Sequence, residues 1–159
     1  IIVMAAIIAG MGALLLLADH LAARRSDLDN LTFGQSILIG LAQALAIFPG
    51  VSRSGSTITA GRALGLKREA AARFSFLLSA PIIAGVGLKS LWEIYKGFKT
   101  GAIAGGEWAL FPIGVITAAV AGYFCIRFML SFLQRRGFDI FVIYRFLLAA
   151  LVAIVAIVR

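Results

Sequence analysis

Long apolar stretches alternate with short charged connectors along this sequence. Four of the stretches reach the roughly 17–25 residues that a helix needs to cross the hydrocarbon core of a bilayer. They lack the polar face at 3.6-residue spacing that a surface helix of a soluble protein shows. The pattern therefore predicts an all-α membrane protein, with transmembrane helices at about residues 1–18, 70–95, 108–133 and 140–158.

A fifth apolar region, residues 31–66, is interrupted by polar side chains and is stopped midway by Pro49 and Gly50, which favour a turn. The region is too short to cross the bilayer twice with full-length helices. Irregular backbone at membrane depth is tolerated only where it is buried in protein or lines a wet cavity. We therefore predict a re-entrant helical hairpin, with its second short helix over residues 58–66.

The composition agrees with a membrane protein, because 62% of the residues are hydrophobic and the mean hydropathy is +1.02. The net charge of +8 does not predict nucleic-acid binding, since the basic residues flank apolar spans, where they orient membrane helices. Alternation of the spans places more of these residues on one side, which we predict to be cytoplasmic. That side holds Arg24, Arg25, Lys67, Arg68, Arg135 and Arg136, against Lys96, Lys99 and Arg159 on the other.

Residues 48–57 read Phe-Pro-Gly-Val-Ser-Arg-Ser-Gly-Ser-Thr and combine the groups that an anion site needs. Arg53 carries a planar, permanently charged fork that suits phosphate oxygens. Gly50 and Gly55 allow backbone amides to approach a ligand closely. Either Ser54 or Ser56 can cap the helix that follows, whose N-terminus favours negative charge. The predicted hydroxyl donors are Ser52, Ser54, Ser56 and Thr57.

A packing role is the alternative for this segment, since Gly and Ser are common where membrane helices approach closely. That role leaves Arg53 unexplained, because an arginine in an apolar region costs at least ~2.5–3.5 kcal/mol and by default marks a site. We therefore favour anion binding. Three other arginines lie near the predicted cytoplasmic ends of spans, and for them we expect snorkelling to lipid headgroups rather than substrate contact. These are Arg73, Arg127 and Arg145.

The sequence offers no acid/base pair inside its apolar spans, because its acidic residues lie in connectors or near span ends. It also has one histidine, His20, and one cysteine, Cys125, so a transition-metal site built from this chain alone is not predicted.

The motif Pro49–Thr57 resembles the C-terminal half of the undecaprenyl-diphosphatase, or bacitracin-resistance, family, as do residues 72–78 (Ala-Arg-Phe-Ser-Phe-Leu-Leu), Pro81 and Tyr144-Arg145-Phe146. The resemblance implies hydrolysis of undecaprenyl diphosphate to undecaprenyl phosphate and phosphate, which recycles the peptidoglycan lipid carrier at the bacterial cytoplasmic membrane. It also implies one half of an inverted-repeat fold. Arg53 would be the catalytic diphosphate clamp. The substrate-binding residues would be Gly50, Ser52, Ser54, Gly55, Ser56 and Thr57.

The sequence departs from the family in one respect, because the first-half motif with two glutamates and Ser-Ser-Thr-Gly-His does not occur here. The chain opens at Ile1 within an apolar run, so we expect the N-terminal catalytic half to be missing and the fragment to be inactive alone. The resemblance implies that a divalent cation, Mg²⁺ or Ca²⁺, could assist the reaction. It does not decide whether the protein forms a homodimer. The functional alternative is a membrane carrier for polyprenyl phosphate or another anion.

Overall fold

The computed structural model describes residues 1–21, 26–100 and 110–158, and most of these are helical. Four helices are long and apolar enough to cross a membrane. Short 3₁₀ segments at Leu28–Asn30 and Ala44–Ile47 flank the first of two shorter helices. The helices are α1 (Ile2–Leu21), α2 (Phe33–Gln43), α3 (Arg53–Ala63), α4 (Arg68–Lys99), α5 (Leu110–Arg135) and α6 (Asp139–Val158).

Several helices extend beyond the predicted spans. Helix α1 continues to Leu21 and so includes Asp19, which the pattern had assigned to a connector. Helix α4 runs to Lys99 and passes Pro81 without a break in helical backbone, because neighbouring groups can satisfy the carbonyl that a proline frees in a membrane helix. The predicted start of α5 at residue 108, with most of the connector before it, falls outside the described residues, as do Arg24, Arg25 and Arg159.

Helices α2 and α3 form a hairpin. Each has 11 residues and is therefore about 16 Å long, well short of the hydrocarbon thickness. The chain enters and leaves this hairpin at one place, because the Ser26 N–H donates to the Gly65 carbonyl and the Lys67 N–H donates to the Ser26 carbonyl, both at 2.9 Å. A re-entrant segment requires such neighbouring ends, and the leaflet that it enters stays a prediction.

The tip of the hairpin depends on Gly50. Its φ of +95° lies in the left-handed region, which residues with a Cβ rarely adopt. A Cβ there would also lie 3.0 Å from Met4 Cγ and 3.1 Å from the Met4 carbonyl oxygen on α1. The turn can therefore pack against α1 only with glycine at this position.

Replacing Gly50 with Ala is expected to cost about 2 kcal/mol or more in unfolding free energy, because the left-handed backbone and the Met4 carbonyl both oppose a methyl group. Gly40→Ala is the matched control on α2, where a methyl meets nothing within 4 Å. That change should be neutral or slightly stabilising. Unfolding in detergent compares the two, and equal stability of both variants would contradict the role of the turn.

One end of the bundle brings together the last turns of α1 and α3 and the first turn of α4. Asp19 is buried there, with its side chain 1% exposed. Arg62 Nε donates to Asp19 Oδ1 at 2.8 Å, and Arg68 Nη2 lies 2.9 Å from Asp19 Oδ2. Arg62 also donates to the Asp19 and Leu66 carbonyls. In this Asp19 cluster all three guanidinium nitrogens of Arg62 are bonded, and Arg68 joins α4 to the same carboxylate.

Candidate anion-binding cavity

The first turn of α3 begins where the anion motif was predicted. Ser52 caps the helix, since the Gly55 N–H donates to Ser52 Oγ at 3.1 Å. The prediction that Ser54 or Ser56 is the cap is therefore wrong, as is the start of the helix at residue 58. The extended backbone of Ser52 and its hydroxyl start the helix at Arg53. Within the described part of the chain, the N–H groups of Arg53 and Ser54 have no acceptor.

A cavity of about 250 Å³ opens beside this turn and is bounded by α1, α3, α5 and α6. Its polar side is formed by groups from the start of α3 and the second turn of α6. Its other side is apolar. The polar lining is Ser52, Ser54, Gly55, Tyr144 and Arg145, and the apolar lining is Ile8, Leu15, Ile58, Met129, Phe138, Phe141 and Leu148.

Arg145 is the charged group of the cavity. Its Nε is buried and has no hydrogen-bond partner among the described residues. Its guanidinium packs on the backbone of Gly55, where a Cβ would lie 2.6 Å from Arg145 Nη1. Gly12 of α1 faces the Arg145 stem, where a Cβ would be at an ordinary contact distance of 3.5 Å from Arg145 Cβ. Arg145 thus points into the protein, and the prediction that it snorkels to headgroups is wrong.

No carboxylate is among the described side chains that line the cavity, so none of them compensates its positive charge. A guanidinium removed from water without a partner is costly, and its positive charge favours an anion. The free N–H groups at the start of α3 add donors and the positive end of a helix dipole. The cavity is therefore suited to an anion with several acceptor oxygens, such as a phosphate or diphosphate.

A divalent cation does not fit these residues. Mg²⁺ and Ca²⁺ take oxygen ligands and favour carboxylates, whereas the cavity presents an arginine, two serine hydroxyls and a phenol. No group of three or more acidic, His or Cys side chains suited to a metal occurs in the described ranges. Any such cation would need ligands other than the cavity side chains of this chain.

Only some of the other predicted site residues line the cavity. Ser52, Ser54 and Gly55 line the cavity. Arg53 is half-buried in the first turn of α3 but does not line it. Gly50 lies in the preceding turn, against α1. The structure therefore places Arg145, rather than Arg53, beside Ser52, Ser54 and Gly55 at the cavity wall.

Ser56 and Thr57 are turned away from the cavity. Both are buried, and Ser56 Oγ donates to the Arg53 carbonyl at 2.9 Å. Thr57 Oγ1 is 2.7 Å from Ser75 Oγ on α4. These hydroxyls hold α3 together and join it to α4, so the structure gives no support for their predicted contact with a ligand.

Arg145 could have been found from the sequence with the argument that selected Arg53. Both are arginines within apolar segments, where a charge is expensive and by default functional. Arg145 lies only a few residues from the predicted end of its span, at residue 140, and this short distance suggested an interfacial position instead. The distinction depends on which face of α6 packs against α1, and that face is set by tertiary contacts.

Replacing Gly55 with Ala should separate the function of the cavity from its stability. The new methyl would displace the Arg145 guanidinium, the flexible end of a side chain, and would also press on Ser52 Cβ at 3.1 Å. We expect anion-dependent activity to fall about tenfold or more, with a stability loss of only about 1 kcal/mol. Gly12→Ala is the control, because its methyl meets the same arginine at ordinary contact distance. Equal activity of the two variants would contradict the proposed contact.

Known proteins resemble the chain over nearly its whole length. Residues 1–151 match the family described as bacitracin resistance protein BacA. An undecaprenyl-diphosphatase of Caldicellulosiruptor bescii is 44% identical over 151 residues, which are 95% of this chain and 55% of that protein. One of Rubrobacter xylanophilus is 48% identical over 147 residues, which are 92% of this chain and 52% of that protein.

An undecaprenyl-diphosphatase of Desulforudis audaxviator is 46% identical over 149 residues, covering 94% of this chain and 54% of that protein. The chain therefore spans about half the length of these curated relatives, and it corresponds to their C-terminal half. The family match covers far more than half of this chain, and four of its helices suit a membrane. The chain is thus an integral membrane protein that belongs to the bacitracin resistance protein BacA family.

Proposed function

We propose that this chain is part of a membrane phosphatase that hydrolyses undecaprenyl diphosphate to undecaprenyl phosphate and inorganic phosphate. The observation that carries the proposal is the Arg145 guanidinium beside the first turn of α3, whose Nε is buried with no hydrogen-bond partner among the described residues. The names of the relatives support the same reaction. The apolar wall of the cavity further suits a ligand with a hydrocarbon tail.

In the proposed reaction, water attacks the terminal phosphorus and the bond to the bridging oxygen breaks, so that undecaprenyl phosphate leaves. Phosphoryl transfer depends mainly on positioning and on stabilising charge on the phosphate oxygens. Arg145 would neutralise the diphosphate, and the N–H groups of Arg53 and Ser54 would donate to its oxygens. The hydroxyls of Ser52 and Ser54 would orient the head group at the cavity wall.

The described residues of the cavity supply binding and charge stabilisation but no carboxylate to activate the water. We therefore assign the acid/base groups to the part of the protein corresponding to the remaining length of the relatives. A divalent cation, if used, would be Mg²⁺ or Ca²⁺ held by ligands from that part and by the diphosphate itself. Arg53, in the first turn of α3, keeps its proposed role as a diphosphate clamp near the cavity.

The proposed setting is the cytoplasmic membrane of a bacterium, where the lipid carrier of peptidoglycan synthesis is recycled. The bilayer is then the surrounding partner, and a polyprenyl diphosphate is the lipid substrate. A further proposed partner is the other half of the inverted-repeat fold, which would complete the site. A homodimer is compatible with the exposed apolar faces of α4 and α5.

The decisive assay uses the membrane protein that contains this chain, purified in detergent and mixed with undecaprenyl diphosphate. We expect release of one phosphate per lipid, and turnover lower by about 10²-fold or more in a preparation carrying Arg145→Met. A carrier would instead move undecaprenyl phosphate between the leaflets of proteoliposomes without releasing phosphate. Lipid transport in the absence of hydrolysis would overturn the phosphatase proposal.

A further inference from the structure

A polar stripe runs along α5 on the side away from the core. Tyr123, Arg127, Ser131 and Gln134 fall within an arc of about 80° on the helix, given 3.6 residues per turn, and all four are exposed. Leu133, about 120° around the helix from the middle of this arc, is buried in the core. An apolar membrane helix thus presents a polar face outward, where contact with lipid would favour apolar side chains.

Arg127 is the costly member of this stripe. It lies eight residues before Arg135, the last residue of α5, and is thus about 12 Å from that end of the helix. Its one hydrogen-bond partner among the described residues is the Tyr123 hydroxyl, 3.4 Å from Arg127 Nη1. A long, neutral contact does not offset an arginine in an apolar span, so a further anionic partner is expected.

The surroundings of the stripe are positive and grooved. Arg127, Arg135 and Arg136 form no ion pair with an acidic side chain in the described ranges. A groove of about 400 Å³ runs past Arg127 and Ser131, and another of about 380 Å³ runs past Ser131 and both terminal arginines. Both grooves include Ser131, so donors occur at intervals from the end of α5 to the level of Arg127.

We propose that this α5 stripe binds the headgroup of an anionic phospholipid, of the phosphatidylglycerol type, from the leaflet at the arginine-bearing end of α5. Arg127 would hold the phosphate, since charge-assisted bonds from guanidinium to phosphate are strong. Arg135, about 12 Å farther along the helix, would add positive charge. Ser131 and Gln134 would bind the glycerol hydroxyls. Ile126 and Leu130 of the same groove would contact the acyl chains. Charge complementarity selects this occupant, and the site is separate from the proposed diphosphate cavity.

The test isolates the protein from its membrane in polymer-bounded native discs and measures the phosphatidylglycerol retained per chain. We expect Arg127→Gln to lower the retained fraction about fivefold, the size of one basic contact at a membrane surface. Lys89→Gln is the matched control, since Lys89 is an exposed cation on α4 that already lies 3.7 Å from Glu93. The control should retain the lipid as the unsubstituted protein does.

A second measurement identifies what lies on the stripe even if a variant folds poorly. A photoreactive side chain introduced at Ser131 should crosslink to phosphatidylglycerol in vesicles that contain it, and much less in pure phosphatidylcholine vesicles. Crosslinking to a protein chain, whether a second copy or another segment, would overturn the proposal. So would equal crosslinking to both lipids, or unchanged lipid retention in Arg127→Gln.

Discussion

Replacing Arg145 with Met should lower turnover of undecaprenyl diphosphate about 10²-fold or more while leaving the protein as stable as before, or more stable. Activity falls because the diphosphate loses a preorganised cationic donor at the cavity wall. Stability is kept because Arg145 Nε is buried with no partner in the described ranges, and an apolar side chain of similar length removes that desolvation cost. Phosphate release at saturating lipid and thermal unfolding in detergent measure the two effects.

A loss of turnover without a loss of stability distinguishes a ligand-binding arginine from a structural one. Removing a structural arginine would destabilise the protein. Arg145→Lys is the informative second variant, because lysine keeps the charge but loses the planar fork. We expect it to recover only part of the activity. Arg145→Met with near-normal turnover would exclude the residue from the site, and a large loss of stability would assign it to packing.

Arg53→Ala provides the comparison within the same site. Arg53 lies in the first turn of α3 without lining the cavity, so its side chain acts on the diphosphate only if it turns toward the ligand. A loss similar to that of Arg145→Met, with no further loss in the double variant, would show that both arginines hold one anion. Additive effects would indicate that they act independently.

The sequence was sufficient for the parts of the fold that depend on local pattern. Apolar length identified four spanning helices, and Pro49-Gly50 marked the tip of the short helical pair, because Gly50 adopts a positive φ. The segment with Ser52 and Gly55 was predicted as an anion site from its glycine, hydroxyl and arginine side chains, and both residues line the cavity. These features follow from the chemistry of neighbouring residues and need no knowledge of tertiary packing.

The rest depends on contacts between distant segments. Arg145 and Gly55 are 90 positions apart and meet only because α6 packs beside α3. Thr57 carries a hydroxyl that could donate to a ligand, yet α4 packs against it and the hydroxyl bonds with Ser75 instead. Asp19 was predicted to lie in a connector, but it is part of α1 and is buried against Arg62 of α3 and Arg68 of α4. One sequence cannot supply these pairings, because the local pattern is the same with or without them.

Asp19→Asn is expected to destabilise the protein by about 3–5 kcal/mol, the usual cost of removing one partner from a buried ion pair. The change keeps the shape of the side chain but leaves Arg62, whose side chain is 6% exposed, without an anionic partner. Arg68 is 39% exposed and can turn to water, so most of the loss comes from Arg62. Unfolding in detergent measures the loss.

Asp27→Asn is the matched control for Asp19→Asn. Lys67 Nζ lies 2.6 Å from Asp27 Oδ2, which is closer than either arginine lies to Asp19, yet both side chains of that pair are about half exposed. Exposed pairs contribute about 0–1 kcal/mol, because water already solvates the charges. A second variant, Asp19→Leu with Arg62→Leu, should recover part of the stability by removing both buried charges. If Asp19→Asn and Asp27→Asn cost the same, burial does not set the strength of the Asp19 cluster.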